Sequence, residues 1–321
     1  MPRWRIRIAG DRAHGVWLDP HADRLLLGDG RGVAYPALRL RALHLDDGRE
    51  LAAVRLGNAA RAMCRDIDGS WLAATDTKLF RLRPEDLSVL AKWSNRIPRY
   101  LDDLVVGGGF VHGVNRIAPG LHAVDLRAGT AKSRRLDGPV RIHPLGGGEL
   151  LAAGTVGGLW RVPFGLGSAP RRIAQLPAFC ETAIDGTGRV WLSLGEGYRQ
   201  GPGGVVSRAD PTPLLGLVDL PHAVDLVAID LGLPFWSVAA SIDGKSVAVI
   251  ALEPPARDGV ARQGDAACFD TRDFECSAWL RAPDGFELRL LCPDRRLGFA
   301  TRALDRSTEV APEAELICFG F

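Results

Sequence analysis

The 321-residue sequence has almost no net charge and no long apolar run. Its apolar stretches fall well short of the ~18 residues that a membrane-spanning helix needs, so we expect no membrane partner. The formal net charge is only +2, and basic and acidic residues are interleaved along most of the chain. The basic stripe of a nucleic-acid-binding surface is therefore missing, and we expect no nucleic-acid partner.

Cysteine motifs and a secretory leader are also missing. The six cysteines contain no Cys-x-x-Cys pair and no ladder of short spacings, which is typical of reduced core residues. Residues 1–10 alternate apolar and arginine side chains, which indicates a strand and not the continuous apolar segment of a signal peptide. These absences predict a cytoplasmic location. The 38 glycines and 21 prolines are spread evenly, so no linker divides residues 1–321, and we predict a single domain.

A four-strand unit repeats along the chain. Residues 60–94 contain four short apolar runs separated by turns, and the turn Asp68-Gly69 joins the first two. Turns of this kind between a first and a second strand recur at residues 22–23, 68–69, 108–109, 147–148, 186–188, 243–244 and 294–295. Repeats of roughly 40–50 residues with four strands each are typical of β-propellers. The chain therefore predicts seven blades.

The seventh unit shows only three strands, whereas residues 3–9 form a strand that belongs to no unit. Pairing the two closes the ring and leaves no exposed sheet edge at the junction. We predict an all-β fold, a seven-bladed β-propeller in which the N-terminal strand closes the last blade. A β-sandwich or a β-solenoid is the alternative, but a sandwich does not explain the seven similar turns, and a solenoid would have a shorter repeat and would leave no terminal strand over. Six or eight blades stay open, because residues 221–236 could hold a strand instead of a loop.

Three turns resemble those of known propellers. Residues 68–72 (DGSWL) and 185–192 (DGTGRVWL) are similar to the strand pairs of streptogramin lyase-like and SMP-30-like propellers, and residues 243–247 (DGKSV) are similar to the turn of YVTN-type repeats. The resemblance covers the repeat pattern of nearly the whole chain and implies the propeller fold. No Trp-Asp dipeptide ends a predicted third strand, so a conventional WD40 protein is not indicated.

The activities that this resemblance implies lack their residues. SMP-30-like enzymes hold a divalent cation with Glu, Asn and Asp oxygens on the innermost strands. Glu181 with Asp102 or Asp103 could serve here, but all three asparagines fall in predicted loops. The Glu-x-His pair expected of a streptogramin lyase is absent. We therefore predict neither a metal ion nor another cofactor.

Polar residues near the starts of the first strands should surround the mouth of the central channel. They form either a ligand pocket or the ordinary polar lining of a propeller. The candidate ligand-binding residues, with two from the glycine-rich residues 195–204, are His14, Arg61, Asp102, Asp103, Arg141, Glu181, Tyr198, Arg199, His222 and Asp225. Cys180, Glu181 and His222 are the candidate catalytic set, because a thiol needs a neighbouring base or cation to act as a nucleophile.

Five long connections are predicted on one face, at residues 28–36, 195–204, 221–236, 253–265 and 303–313. Loops on a rigid scaffold commonly carry binding functions. The leading hypothesis is an intracellular binding or scaffold protein that presents this face to a protein or peptide partner. The alternative is a small-molecule lyase or hydrolase with its active site at the channel mouth, and the sequence leaves open whether the protein is an enzyme.

Overall fold

The computed structural model describes residues 2–10, 15–19, 22–30, 38–95, 97–115, 120–136, 140–195, 199–200, 206–207, 211–220, 222, 225–252, 263–283, 285–304 and 313–320. This part of the chain contains thirty β-strands and two 3-10 turns, at Phe164–Leu166 and Pro293–Arg295. It includes no helix with the length and apolar character that a membrane span requires.

Twenty-eight of these strands form seven four-stranded antiparallel sheets, which are the blades of a β-propeller. Blade 1 consists of β2 (Gly15–Asp19), β3 (Arg24–Gly28), β4 (Leu40–His44) and β5 (Glu50–Val54). Blade 2 consists of β6 (Ala62–Arg65), β7 (Trp71–Ala74), β8 (Leu79–Leu82) and β9 (Val89–Trp93). Blade 3 consists of β10 (Asp103–Gly107), β11 (Phe110–Asn115), β12 (Gly120–Asp125) and β13 (Thr130–Arg134). Blades 4 and 5 are β14 (Val140–Gly146), β15 (Glu149–Gly154), β16 (Gly158–Pro163) and β17 (Arg171–Gln175); and β18 (Phe179–Ile184), β19 (Arg189–Gly195), β22 (Pro211–Asp219) and β23 (Leu226–Asp230).

Blades 6 and 7 complete the ring. They are β24 (Phe235–Ala240), β25 (Ser246–Leu252), β26 (Gln263–Asp270) and β27 (Cys276–Leu280); and β28 (Glu287–Cys292), β29 (Leu297–Ala303), β30 (Glu313–Gly320) and β1 (Pro2–Ala9). A separate two-stranded hairpin, β20 (Arg199–Gln200) with β21 (Val206–Ser207), lies between the second and third strands of blade 5. All seven turns predicted between first and second strands are found at their expected places, and the count of seven blades is confirmed.

The N-terminal strand closes blade 7 as predicted. β1 pairs antiparallel with β30, and the register sets Ile6 opposite Leu316 and Ile8 opposite Ala314. Trp4 reaches from β1 to the neighbouring blade, where its indole Nε1 donates to the Leu45 carbonyl at 2.6 Å. The junction between the two ends of the chain is therefore paired within its sheet and bonded to blade 1.

The apolar core consists of seven clusters, one between each pair of neighbouring blades. Leu25 and Leu27 of β3 face the cluster shared with blade 7, whereas Leu26 between them faces the cluster shared with blade 2. Successive strand residues point to opposite faces of a sheet, and both faces of each blade are covered. This arrangement explains why second strands such as β3 and β7 carry consecutive apolar residues and do not alternate with polar ones.

Blade 5 departs from the predicted assignment of strands. Its third strand is β22 and its fourth is β23, and β23 lies inside the long connection predicted at residues 221–236. β22 begins at Pro211 and also contains Pro213. Proline lacks only the amide donor, and the Pro213 carbonyl still accepts from the Leu231 amide at 3.0 Å. The interpretation of residues 221–236 as one long loop is therefore wrong.

The antiparallel order of strands gives the ring two faces. The turn face carries the connections from first to second and from third to fourth strands. The loop face carries the connections from second to third strands and those between blades. Of the five long connections predicted on the loop face, four join second to third strands, at residues 29–39, 196–210, 253–262 and 304–312. Most of their residues lie outside the described part of the chain, but the strands that flank them end at the loop face.

Candidate functional site

The first strands of blades 2 to 5 carry five of the ten predicted ligand-binding residues at their loop-face ends. Arg61 precedes β6, Asp102 and Asp103 mark the start of β10, and Arg141 and Glu181 lie near the starts of β14 and β18. These first strands contact one another in ring order. These five residues therefore lie together in one sector of the ring, at the loop-face ends of its innermost strands.

Arg61 ties blade 2 to blade 3. Its guanidinium donates to Asp102 Oδ1 from Nη2 at 2.5 Å and from Nε at 3.1 Å, and it pairs with Asp76 at 3.3 Å. Burial works against the charged guanidinium, but the two carboxylates outweigh it and raise the pKa of Arg61 above its ordinary value. The Tyr100 ring lies 5.5 Å from the guanidinium carbon. This arginine acts as a cross-blade clamp.

Arg141 and Glu181 form the second clamp, between blades 4 and 5. Nε of Arg141 donates to Oε2 of Glu181 at 2.7 Å, and Nη2 donates to Oε1, so the pair is bidentate. The backbone amide of Glu181 donates to Ser193 Oγ at 2.9 Å, and that hydroxyl donates to the Trp236 carbonyl of blade 6 at 3.0 Å. One sector of the mouth is therefore held by contacts that cross three blades.

Beside the second clamp lie Asp103 of blade 3 and two residues that the sequence analysis missed, His143 of blade 4 and Thr182 of blade 5. His143 Nε2 and Thr182 Oγ1 are 2.6 Å apart, and Asp103 Oδ2 accepts from the Ile142 amide at 3.3 Å. Desolvation raises the pKa of the Asp103 carboxyl and lowers the pKa of the His143 imidazole. Both groups therefore favour their neutral forms more than they would in water.

Strand geometry could have revealed one of the two missed residues. His143 follows Arg141 by two positions on β14, so alternation places both on the same face. Thr182 is adjacent to Glu181, and regular alternation would turn the two apart. The register of β18 with β19 shifts between Phe179 and Thr182, which marks a β-bulge that re-aims side chains. The sequence carries no plain signal for this bulge.

Cys180 and His222 do not converge, so the hypothesis of a joint catalytic set is wrong. Cys180 is on the innermost strand of blade 5 with only 2% of its surface exposed. His222 lies on the turn face, between β22 and β23, where its 81% exposed side chain places Nδ1 2.9 Å from Asp219 Oδ1. Asp225 precedes β23 and is exposed in the same turn. The cause is the shifted assignment of strands in blade 5.

The remaining predicted contacts cannot be placed in the channel. His14 and Tyr198 lie outside the described residues, and Arg199 begins the hairpin strand β20. Within the described part of the chain, no group of three or more His, Cys, Asp or Glu side chains could hold a metal ion.

The loop face is uneven around the ring. Blades 5, 6, 7 and 1, which are consecutive, have the long second-to-third-strand connections at residues 196–210, 253–262, 304–312 and 29–39. The corresponding connections of blades 2, 3 and 4 are short, at residues 75–78, 116–119 and 155–157. The loop face therefore has a long-loop half and a short-loop half, and the charged clamps lie mainly beside the short-loop half.

Comparison with known proteins identifies the fold. No protein-family model and no curated protein sequence matches the chain, but 1201 chains of known structure do. The Pan2 WD40 domain of Neurospora crassa is 9% identical, with a TM-score of 0.65 over 98% of this chain and 94% of that chain. The hydrazine synthase of Kuenenia stuttgartiensis is 13% identical, with a TM-score of 0.53 over 75% of this chain and 73% of that chain. The protein is a seven-bladed β-propeller similar in fold to a WD40 domain.

Proposed function

We propose that the protein is an intracellular binding or scaffold protein whose loop face receives a protein or peptide partner. The observation that carries this proposal is the grouping of all four long connections on consecutive blades of one face. Connections on neighbouring blades can act on one partner together, whereas insertions scattered around the ring could not. Binding segments are disproportionately loops held by a rigid scaffold.

The channel mouth supports the same proposal. Arg61, Asp102, Arg141 and Glu181 are engaged with one another across blade boundaries. Side chains held in cross-blade ion pairs fix the shape of the scaffold, and a ligand would have to displace one partner to use the other. The similarity in fold to a WD40 domain is consistent with a general role in protein interaction.

The test is replacement of residues 254–261 by a short Gly-Ser turn, because these residues lie within a long connection and between two paired strands. Loop length affects stability only slowly, so the variant should melt close to the wild type. Partners crosslinked to the wild-type protein should be lost. The matched control exchanges Arg127 to Ala128 on the turn face for Gly-Ser, and it should keep the same partners. Loss of partners in the control alone would contradict the choice of face.

A second function, a small-molecule lyase or hydrolase, is favoured by one observation: the 2.6 Å contact between His143 and Thr182 beside Asp103. A neutral imidazole within hydrogen-bond reach of a hydroxyl can act as a general base. Product formation from a panel of esters and lactones would support this function only if His143→Gln and Thr182→Val each abolish it. The binding proposal expects no such turnover and wild-type partner capture by both variants.

A further inference from the structure

A basic cleft of about 590 Å³ lies between blades 2 and 3, apart from the long loops. One wall is the connection between the two blades, at residues 97–99, and the other is formed by β12 and β13. None of the lining residues that the structure describes is acidic. The polar lining consists of Arg99, Asn115, His122, Ser133, Arg134 and Arg135.

The three arginines of this cleft differ from those at the channel mouth. Arg61 and Arg141 pair with carboxylates of the next blade, whereas no carboxylate in the described part of the chain forms an ion pair with Arg99, Arg134 or Arg135. Arg134 Nη1 donates to the carbonyl of its neighbour Ser133 at a long 3.3 Å. Three guanidinium groups therefore border one cleft with no described counter-charge.

The walls that carry these arginines are held in place. The buried amide of Asn115 donates from Nδ2 to the Arg99 carbonyl at 3.1 Å, and the next amide, that of Tyr100, donates to the Asp76 carbonyl at 3.0 Å. On the other wall, His122 Nδ1 and Ser133 Oγ are 2.7 Å apart across β12 and β13. The backbone positions are therefore fixed before a ligand arrives, which lowers the entropy cost of binding.

We propose that this cleft binds an acidic peptide segment through its carboxylate or phosphate groups. Guanidinium forks match both groups in a bidentate geometry. The volume lies within the range of about 300–1,000 Å³ that holds a small ligand or a few side chains, and the basic residues form one patch and not the extended track that a nucleic-acid backbone follows. β13 is the outermost strand of blade 3, so an extended peptide can lie along its free edge.

The site goes beyond the proposed function, because it needs none of the long connections of blades 5, 6, 7 and 1. Its test uses fluorescein-labelled peptides and fluorescence anisotropy at low salt. The probes are hexaglutamate, a Gly-Ser peptide with one phosphoserine, the same peptide without phosphate, and a six-nucleotide oligothymidylate. The wild-type protein should bind one or both acidic peptides, and it should not bind the unphosphorylated peptide.

Charge reversal locates the site. The double variant Arg134→Glu with Arg135→Glu should weaken binding of the acidic peptide by about tenfold or more, because hydrogen bonds between charged groups are the strong contacts here. Arg99→Glu, on the other wall, should weaken it independently and serves if the double variant fails to fold. The matched control is Arg127→Glu, an exposed arginine in the turn between β12 and β13, and it should stay within about twofold.

Each outcome decides the proposal. The proposal is overturned if the double variant and Arg99→Glu bind the acidic peptides as tightly as the wild type does. It is also overturned if Arg127→Glu loses as much binding as they do, or if neither acidic peptide binds the wild-type protein. Tighter binding of oligothymidylate than of either peptide also overturns it. Preference between hexaglutamate and phosphoserine identifies the group that is recognised. Retention of peptide binding by the variant shortened at residues 254–261 separates this site from the loop-face proposal.

Discussion

Replacing Trp4 with alanine should destabilise the protein by about 3–5 kcal/mol, the usual cost of removing a buried tryptophan. Trp4 is 7% exposed and belongs to the cluster between blades 7 and 1, where its ring centroid is 6.2 Å from that of Phe299. A Cβ at Gly48 would lie 2.7 Å from the indole, so the ring packs closely against a turn of blade 1. Little room exists for the site to collapse after truncation.

The hydrogen bond of the indole adds to this cost. Without Trp4 Nε1, the Leu45 carbonyl loses a donor at 2.6 Å, and leaving a buried acceptor unsatisfied costs about 1–3 kcal/mol. One effect limits the total. Because β1 is the outermost strand of blade 7, it can detach locally, and the loss cannot exceed the free energy that holds β1 to its neighbours.

The assay is urea denaturation followed by far-UV circular dichroism. Arg7→Ala is the control on the same strand: its side chain is 76% exposed and pairs with Glu313 at 3.4 Å, and surface changes of this kind usually stay within about 0.5 kcal/mol. Deletion of residues 1–10 should go further, exposing the edge of β30 and promoting aggregation. A loss below about 1 kcal/mol for Trp4→Ala, or a soluble deletion variant with unchanged melting, would refute closure by β1.

Three further measurements test the interior. Arg141→Ala should cost about 3 kcal/mol in urea denaturation by leaving the Glu181 carboxylate without its bidentate partner, and the double alanine variant should lose less. Desolvation lowers the pKa of the fully buried His112 from 6.5 to about 4. Its stabilising contribution is therefore complete above pH 6.5 and is lost as the pH falls towards 4. His112→Leu should flatten the dependence of the free energy of unfolding on pH across this window. A Cβ at Gly157 would lie 1.9 Å from a backbone oxygen at φ +98°, so Gly157→Ala should lower the melting temperature strongly, whereas Gly129→Ala, at φ +63° with open space, should lower it less.

The sequence by itself determined the repeat and its closure. The turn glycines at positive φ, as at Gly69 and Gly244, mark places where other residues are strained, so they show directly in the sequence. Apolar second strands such as β3 show there too, because both faces of a blade are buried. The left-over strand β1 followed from counting four strands per unit. These signals are local, and each depends on a few neighbouring residues.

The tertiary structure decided where the chemistry lies. The sequence placed Arg141 and Glu181 at the channel mouth, but their pairing depends on the contact between two blades. The meeting of His143 with Thr182 depends on a bulge in β18, and the separation of Cys180 from His222 depends on which segments of blade 5 pair as strands. Register and bulges are set by packing against neighbouring strands. The two clamps join residues 41 and 40 positions apart, and no local pattern in the sequence encodes such contacts.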